Sequence, residues 1–242
     1  MKKSTVAVLA AALLTPALAR ADRRYYGETY NATTAAPGSL DVELWSTFHQ
    51  APKDEGNSHL WRHQLELETG ITDRWDVALY NVWVYPQGES TKYEATKVET
   101  RYRLSRPGEW FVDPILYLEL SKEWIEDKPF AVEEKLIVGK DVGAWNTSVN
   151  VIAEQEFIPG GGREYEWGYA AGTSYEVFPW VRAGGEVFGD WRRAAGSTLS
   201  EHWAGPSISL AYSKVWLVTA LGFGLNDDSE WLRARAVLAY QF

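Results

Sequence analysis

The stretch that decides the fold is the end of the chain, residues 232–242, with the sequence LRARAVLAYQF. Every second position counted back from Phe242 is apolar, whereas the positions between them include Arg233, Arg235 and Gln241. Alternation with a period of two predicts a β-strand with two different faces. The end of the chain is therefore expected to separate an apolar environment from a more polar one.

The beginning of the chain has the features of an export signal. Lys2 and Lys3 precede a short apolar run at residues 6–14, and residues 19–21 (ARA) offer a cleavage site between small residues. The run is shorter than the ~20 residues that a helix needs to span a bilayer, which argues against an anchor. We expect residues 1–21 to be a cleaved signal peptide, so that the mature chain begins at Asp22; cleavage two residues earlier is the alternative.

A strand that ends the chain on an aromatic residue, behind an export signal, resembles the C-terminal strand of outer-membrane β-barrels. Segments with a period of two recur along the whole mature chain, separated by clusters of Gly, Pro, Asn, Asp and Ser. We therefore expect an all-β fold, a transmembrane antiparallel up-and-down β-barrel with twelve strands over residues 39–242. Residues 22–38 are expected to form a periplasmic N-terminal segment. The predicted strands are 39–49, 59–70, 74–85, 92–104, 109–121, 130–140, 145–157, 165–177, 180–189, 201–212, 215–225 and 231–242.

The predicted connections alternate in length. Short turns are predicted near residues 70–73, 105–108, 141–143, 178–179 and 213–214. Longer connections are predicted near residues 50–58, 86–91, 122–129, 158–164, 190–200 and 226–230. Outer-membrane barrels have short periplasmic turns and longer external loops. An even number of strands would then leave both termini in the periplasm.

Thirteen tryptophans support the same interpretation, because most of them are predicted at strand ends. Two belts of aromatic rings at the two membrane interfaces are typical of membrane barrels. The first predicted belt contains Trp75, Trp110, Trp145, Trp180 and Trp216. The second contains Trp61, Trp83, Trp124, Trp167, Trp191, Trp203 and Trp231.

Four features leave details of the strands open. Pro114 and Pro206 fall inside predicted strands, where proline removes a hydrogen-bond donor. Asn81 interrupts the apolar set of the third strand, and residues 215–225 are apolar on both faces. These features affect strand boundaries and phases more than the architecture.

Composition excludes several function classes. Removal of Lys2, Lys3 and Arg20 with the signal leaves 21 basic and 33 acidic residues, a formal net charge of −12. Nucleic-acid-binding proteins usually carry a basic patch, so we expect no nucleic-acid partner. The chain has no cysteine, which excludes disulfides and thiolate chemistry, and we expect no cofactor and no metal.

The polar faces of the predicted strands carry charged side chains that would be very costly in contact with lipid, so they are expected to face the lumen. Thirteen acids against eight bases on these faces favour cations or neutral polar solutes. Acids and bases that pair across a lumen could instead close it, and both alternatives stay open. The candidate pore-lining residues are Glu43, Glu66, Glu99, Arg101, Glu119, Lys135, Glu154, Glu166, Arg182, Glu186, Arg233 and Arg235.

Two segments, residues 70–77 (GITDRWDV) and 183–189 (AGGEVFG), resemble a pattern that recurs in small porins. In particular they are similar to the porin and transporter family of the phenol meta-degradation pathway. The resemblance extends diffusely over most of the mature chain and rests on turns and strands rather than on a specific motif. It implies passive transport of small molecules. The other expected partners are outer-membrane lipids and the barrel-assembly machinery, which would bind the C-terminal strand ending in Phe242.

Three less favoured alternatives remain. An outer-membrane lipid hydrolase would need a serine beside a histidine, and His63, with Ser58 nearby, and His202 are candidates whose contacts spacing cannot show. His49, His59 and His63 could gather as a metal site. A closed structural or receptor barrel would act through its loops. We expect a channel rather than an enzyme.

Overall fold

The computed structural model describes residues 23–52, 58–125, 130–158, 160–194 and 197–242, and the expected export signal lies outside them. Twelve strands form a closed barrel in which each strand pairs antiparallel with its sequence neighbours and β1 pairs with β12. The predicted twelve-stranded up-and-down barrel is confirmed. The strands are β1 Leu40–Gln50, β2 His59–Thr72, β3 Trp75–Pro86, β4 Lys92–Arg103, β5 Asp113–Glu123, β6 Phe130–Val142, β7 Trp145–Ile158, β8 Gly162–Phe178, β9 Val181–Ala194, β10 Ser197–Tyr212, β11 Val215–Gly224 and β12 Leu232–Gln241.

The last strand has the two faces that its sequence predicts. Leu238 and Tyr240 are exposed on the outside of the barrel, whereas Val237 is fully buried on the inside. The barrel closes where β12 pairs with β1 from Gln50 to Asp41. The N–H of Phe242 donates to the carbonyl oxygen of Leu40 at 2.9 Å, so the terminal residue extends this seam. Among the described residues, no helix is long and apolar enough to cross a membrane.

The two ends of the barrel differ in their connections. At the short-turn end, two residues join β2 to β3, β6 to β7, β8 to β9 and β10 to β11, and β1 begins and β12 ends there. The β4–β5 connection at this end spans 104–112 and is longer than the turn predicted at 105–108. The opposite end carries the connections 51–58, 87–91, 124–129 and 225–231, and we call it the long-loop end.

The connections predicted near 158–164 and 190–200 are shorter than expected. β8 begins at Gly162, β9 continues to Ala194 and β10 begins at Ser197, so these strands extend into both predicted loops. Gly, Asp, Arg and Ser in this region suggest a loop by composition. The backbones nevertheless stay paired far from the short-turn end, as in the pair of Trp191 and Ser200.

Three of the four open details of the strands have local explanations. Pro206 lies where the pairing of β10 with β11 is interrupted, between Ala204 and Ser207, so its missing N–H is tolerated. Asn81 lies on the outer face of β3, where its side-chain oxygen accepts a hydrogen bond from the Tyr93 hydroxyl at 2.7 Å. The inward residues of β11, such as Val218, pack in an apolar cluster inside the barrel. Both faces of β11 are therefore apolar for different reasons.

Two tryptophans do not have the positions that the belts require. Trp203 and Trp216 are fully buried on the inside of the barrel. Trp203 stacks on Phe188 with ring centroids 5.4 Å apart, and Trp216 packs with Trp45 in the apolar cluster of β1, β11 and β12. The other predicted belt residues are exposed or half-buried. The assignment of Trp203 and Trp216 to the belts was wrong because the phase of their strands points both rings inward, where other apolar side chains pack against them.

Residues 23–38 differ most from expectation. They were expected in the periplasm, but they lie inside the lumen at the short-turn half, and we call them the lumen segment. Two inner-wall glycines leave room for it. A Cβ atom at Gly172 would lie 2.7 Å from the ring of Tyr26, and one at Gly139 would lie 2.6 Å from the Cβ of Ala32.

Candidate functional site in the barrel lumen

The inner wall carries the charged residues that the sequence predicts there. On most strands, buried or half-buried positions alternate with exposed apolar ones, which fixes the inward face. All twelve candidate residues are buried or half-buried: Glu43, Glu66, Glu99, Arg101, Glu119, Lys135, Glu154, Glu166, Arg182, Glu186, Arg233 and Arg235. They do not all lie at one depth: one group lies in the short-turn half, another lies in the long-loop half, and Lys97 with Glu119, 2.8 Å apart, lies between them.

The first group surrounds Arg101 in the short-turn half. Its guanidinium Nη2 lies 2.7 Å from Asp76 Oδ2, and its Nε lies 3.3 Å from Glu99 Oε1. The same guanidinium contacts Glu68, and the hydroxyl of Tyr80 donates to Glu99. All of these side chains are buried. Removal of one charge from such a cluster would leave the others buried without a partner.

A second part of this group is acidic. Carboxylate oxygens of Glu43, Glu66 and Glu68 lie within 4.8 Å of one another, and this is the only such set found among the described residues that could hold a metal ion. Arg24 of the lumen segment lies beside it. Burial alone would lower the pKa of Arg24, but interactions with Tyr30, Glu43 and Glu66 raise it above its ordinary value. The guanidinium thus supplies the positive charge that a metal would bring, and we assign no metal here.

Glu186 on β9 anchors the lumen segment. Its two carboxylate oxygens accept hydrogen bonds from the N–H groups of Gly27 at 2.7 Å, Glu28 at 2.9 Å and Thr29 at 2.8 Å. Three converging N–H groups form a binding site for one negative charge. Glu186, predicted as pore-lining, therefore accepts hydrogen bonds from the backbone of the same chain rather than facing open water.

Further contacts hold the segment on both sides of this anchor. The Tyr26 hydroxyl donates to the side-chain oxygen of Asn146 at 2.8 Å, and burial raises the pKa of Tyr26 above its ordinary value. Asn150 accepts from the N–H of Tyr30 at 2.7 Å and donates to its carbonyl oxygen at 3.0 Å. The paired contacts on β7 fix the direction of the segment as well as its position.

Ion-pair and cation–π contacts also connect the lumen segment to the inner wall. The Arg235 guanidinium lies 2.6 Å from a carboxylate oxygen of Glu28 and donates to the carbonyl oxygen of Gly27 at 3.1 Å. Arg24 lies over the rings of Tyr30 and Trp45, at 3.9 Å and 4.4 Å from their centroids. Cations over aromatic faces are attracted by the ring quadrupole, more strongly when desolvated.

The second group of charges lies in the long-loop half, where pairs remain more accessible to water. Arg192 pairs with Glu166 at 2.6 Å, and the two side chains are 46% and 22% exposed. Arg62 pairs with Glu94 at 2.7 Å with similar exposures. Ion pairs at this exposure contribute little to stability. They are consistent with a wet vestibule whose walls carry charge.

Glu230 contacts both His49 and Arg233 in one patch of this half. The Nδ1 atom of His49 lies 2.9 Å from Glu230, and Arg233 lies 2.9 Å from the same carboxylate. Burial alone would raise the pKa of Glu230, but the hydrogen bond from His49 and the charge of Arg233 lower it to about 2. This patch fastens the connection 225–231 to the inner wall.

Sequence reasoning missed Asp76, Glu230 and the lumen segment. Asp76 follows a predicted turn and was assigned to neither face of its strand. Its alternation with Ala78 and Tyr80 nevertheless marks it as inward. Residues 23–38 show no periodicity that would place them. The available signal was the small inner-wall positions, Gly139 on β6 and the run Gly168, Ala170, Gly172 and Ser174 on β8.

The histidines separate into different environments. His49 faces the lumen, whereas His59 packs on the outer-face Phe48 and His63 stacks on Trp61. The hypothetical metal site of His49, His59 and His63 is therefore wrong, because the wall of the barrel separates His49 from the other two. His202 lies on the outer face of β10 beside Ser200.

These features place the chain in the class of closed twelve-stranded barrels of the outer-membrane type. No protein-family model matches it, and no curated protein matches it. It is similar to the crystal structure of an outer membrane channel from Pseudomonas putida F1, with a TM-score of 0.61 and 13% sequence identity over 87% of this chain and 98% of that one. It is also similar to the NanC porin, with a TM-score of 0.57 and 9% identity over 83% and 98%. At these identities the likeness shows a shared fold.

Proposed function

We propose that the protein is a bacterial outer-membrane channel that passes ions or small polar solutes through a narrow, charged lumen. The observation that carries the proposal is the charged inner wall of the long-loop half, where Arg62 and Arg192 are 40% and 46% exposed inside a closed barrel. Twelve strands about 4.8 Å apart and tilted by about 40° enclose a backbone radius of roughly 12 Å. That radius leaves space for solute beside inward side chains.

The outer surface supports the location. Large apolar side chains such as Leu44, Leu116 and Val151 are about half exposed, and nine tryptophans are also exposed. A continuous apolar surface of this kind is unfavourable in water and is stable against lipid acyl chains. We propose outer-membrane lipids as its partner, and insertion by the barrel-assembly machinery through the strand that ends at Phe242.

The lumen segment defines the constriction. In this proposal, solute enters the vestibule freely and passes the short-turn half only beside the segment or when the segment moves. Acids exceed bases on the vestibule wall, so cations are favoured over anions. The acids on this part of the inner wall include Glu133, Glu154, Glu166, Asp190, Glu201 and Glu230.

Membership in the transporter family of the phenol meta-degradation pathway is also a proposal, supported by the turn and strand pattern of residues 70–77 and 183–189.

The test is single-channel recording in planar bilayers. We expect discrete conductance steps and, under a KCl gradient, a reversal potential that favours K⁺. A matched variant that lacks residues 24–36 should conduct at least about threefold more, because the lumen segment no longer narrows the short-turn half. Heat-modifiable migration on gels confirms that both proteins are folded barrels.

The second candidate is a closed structural or receptor barrel, and the buried contacts of residues 23–38 favour it. Inserted barrels that stay silent both with and without residues 24–36 would overturn the channel proposal and support this alternative. A silent wild-type protein whose deletion variant conducts would instead show a channel held shut by its own lumen segment.

A further inference from the structure

The outer wall of β10 brings a serine hydroxyl against a histidine ring. Ser200 and His202 are two residues apart and therefore share the outer face, whereas Trp203 points into the barrel. The Ser200 Oγ lies 2.8 Å from the His202 Nε2. The sequence shows the spacing but cannot show this contact, which is the first requirement of a nucleophile activated by a general base.

A space built into the neighbouring strand holds the histidine ring. His202 pairs with Gly189 of β9, and a Cβ atom at that position would clash with the His202 Nδ1. The same Nδ1 lies 3.3 Å from the hydroxyl of Tyr169 on β8, and the ring of Trp191 lies 5.0 Å away, edge to face. In the tautomer with the proton on Nδ1, His202 donates to the Tyr169 oxygen. Nε2 is then free to accept the proton of Ser200.

The backbone around the pair is fixed by the connection that follows β11. The N–H of His202 donates to the hydroxyl of Ser229 at 2.7 Å, and that hydroxyl donates back to the His202 carbonyl oxygen at 3.0 Å. The side-chain amide of Asn226 donates to the carbonyl oxygen of Ser200. Side chains of residues 226–229 thus hold the two residues on a stable wall rather than on a free loop.

The depth of the pair on the barrel suggests its substrate. Ser200 pairs with Trp191, and Trp191 pairs with Trp167, so the three lie at one level near the long-loop end. Both tryptophan rings are exposed on the outer face. Exposed tryptophans are favoured at the interface between acyl chains and water, which is the depth of the ester carbonyl groups of lipids.

We propose that Ser200 and His202 form a catalytic pair that hydrolyses acyl ester bonds of lipids in the leaflet at the long-loop end. Ser200 Oγ attacks the ester carbonyl carbon while His202 Nε2 takes its proton. The tetrahedral intermediate collapses, the bond to the alcohol oxygen breaks, and His202 protonates the leaving alcohol. Water then attacks the acyl-serine with His202 as base, which releases the fatty acid and restores the serine hydroxyl.

This activity goes beyond the proposed channel and does not depend on it, since one site lies on the outer wall and the other in the lumen. Tyr169 is a positioning residue in this scheme. It does not touch the ester, and it acts by fixing the tautomer and orientation of His202. Fatty acid release by this pair would make the sequence-based expectation of a protein without enzymatic activity wrong.

The test uses the full mature barrel in mixed micelles with two substrates in separate arms, phosphatidylethanolamine and lipopolysaccharide. Release of free fatty acid is measured by mass spectrometry. We expect release in at least one arm, which identifies the source of the ester, and a loss of at least about 100-fold in Ser200→Ala and in His202→Gln. Tyr169→Phe should lower kcat by roughly 10-fold with KM unchanged.

His63→Ala is the matched control, because His63 lies on the outer face of β2 and stacks on Trp61. It should retain full activity, and gel migration should show that every variant is folded. A fluorophosphonate probe should label wild-type protein at Ser200 and not the Ser200→Ala variant. Release that persists in Ser200→Ala, or a wild-type protein that releases no fatty acid from either lipid, would overturn the proposal whether or not the barrel conducts.

Discussion

The two halves of the lumen contain the same types of charged residue but hold them in different ways. In the short-turn half, Arg101 is 8% exposed and contacts three carboxylates. In the same half, the N–H groups of residues 27–29 donate hydrogen bonds to the carboxylate of Glu186. In the long-loop half, Arg192 is 46% exposed and pairs with Glu166. The difference comes from residues 23–38, which contact charged residues of the short-turn half, as Tyr30 contacts Glu99 and the N–H of Ala35 donates to Asp76. Charge on an inner wall therefore does not by itself define a solute path.

The largest expected effect is on the Arg101 cluster. Arg101→Leu would leave the carboxylates of Glu68, Asp76 and Glu99 buried without their common partner, and it should destabilise the barrel by about 3–5 kcal/mol. The matched change in the other half, Arg192→Leu, should cost at most about 1 kcal/mol, because its pair is exposed. Urea unfolding in lipid vesicles measures both. Equal losses would show that the two halves do not differ in burial.

The next effect is on the anchor of the lumen segment. Glu186→Gln replaces a charged acceptor of three N–H groups, and hydrogen bonds to charged groups contribute about 1.5–3 kcal/mol each. We expect residues 23–38 to leave the lumen more often, so that chymotrypsin cuts after Tyr26 and Tyr30. Intact-mass measurements detect the cut. Glu166→Gln is the control and should leave these sites protected; identical protection in both variants would argue against the anchor.

The sequence predicts the barrel well because strands and turns have local signals. Period-two alternation fixes the inward face of β12, and the two-residue turns after β6 and β10 begin at Gly143 and Ser213, whose φ values are positive. The extensions of β8 and β9 were missed because their residues have the composition of loops. Their pairing depends on partner strands, which local composition does not show.

The contents of the lumen could be predicted only in part. Inward orientation of the twelve candidate residues follows from strand phase, but their partners depend on residues 23–38, which have no period. Trp203 and Trp216 were assigned to the outside because their positions at strand ends suggested belts. In the structure, their phase places them inside, where Phe188 and Trp45 provide apolar contacts.

A smaller effect is expected at the patch of His49, Glu230 and Arg233 in the long-loop half. The pKa of Glu230 is lowered from 4.5 to about 2, so the stabilisation from its contacts with His49 and Arg233 is fully present above pH 4.5 and is lost as the pH falls through 2. Carbon-detected NMR of the carboxylates, assigned with Glu230→Gln, should give a midpoint near 2. Arg233→Gln should raise this midpoint. A midpoint of 4.5 in the wild-type protein would mean that the patch is as wet as the rest of this half.

The central claim is that the lumen segment divides the lumen into a dry and a wet half, and cysteine labelling tests it most directly because the chain has no cysteine of its own. Glu166→Cys and Ser174→Cys lie on the inner face of the same strand, β8, in the wet and dry halves respectively. A water-soluble thiol reagent should modify Glu166→Cys at least about 100-fold faster. Deletion of residues 24–36 should bring the rate at Ser174→Cys close to that at Glu166→Cys. Equal rates with the segment present would contradict the account.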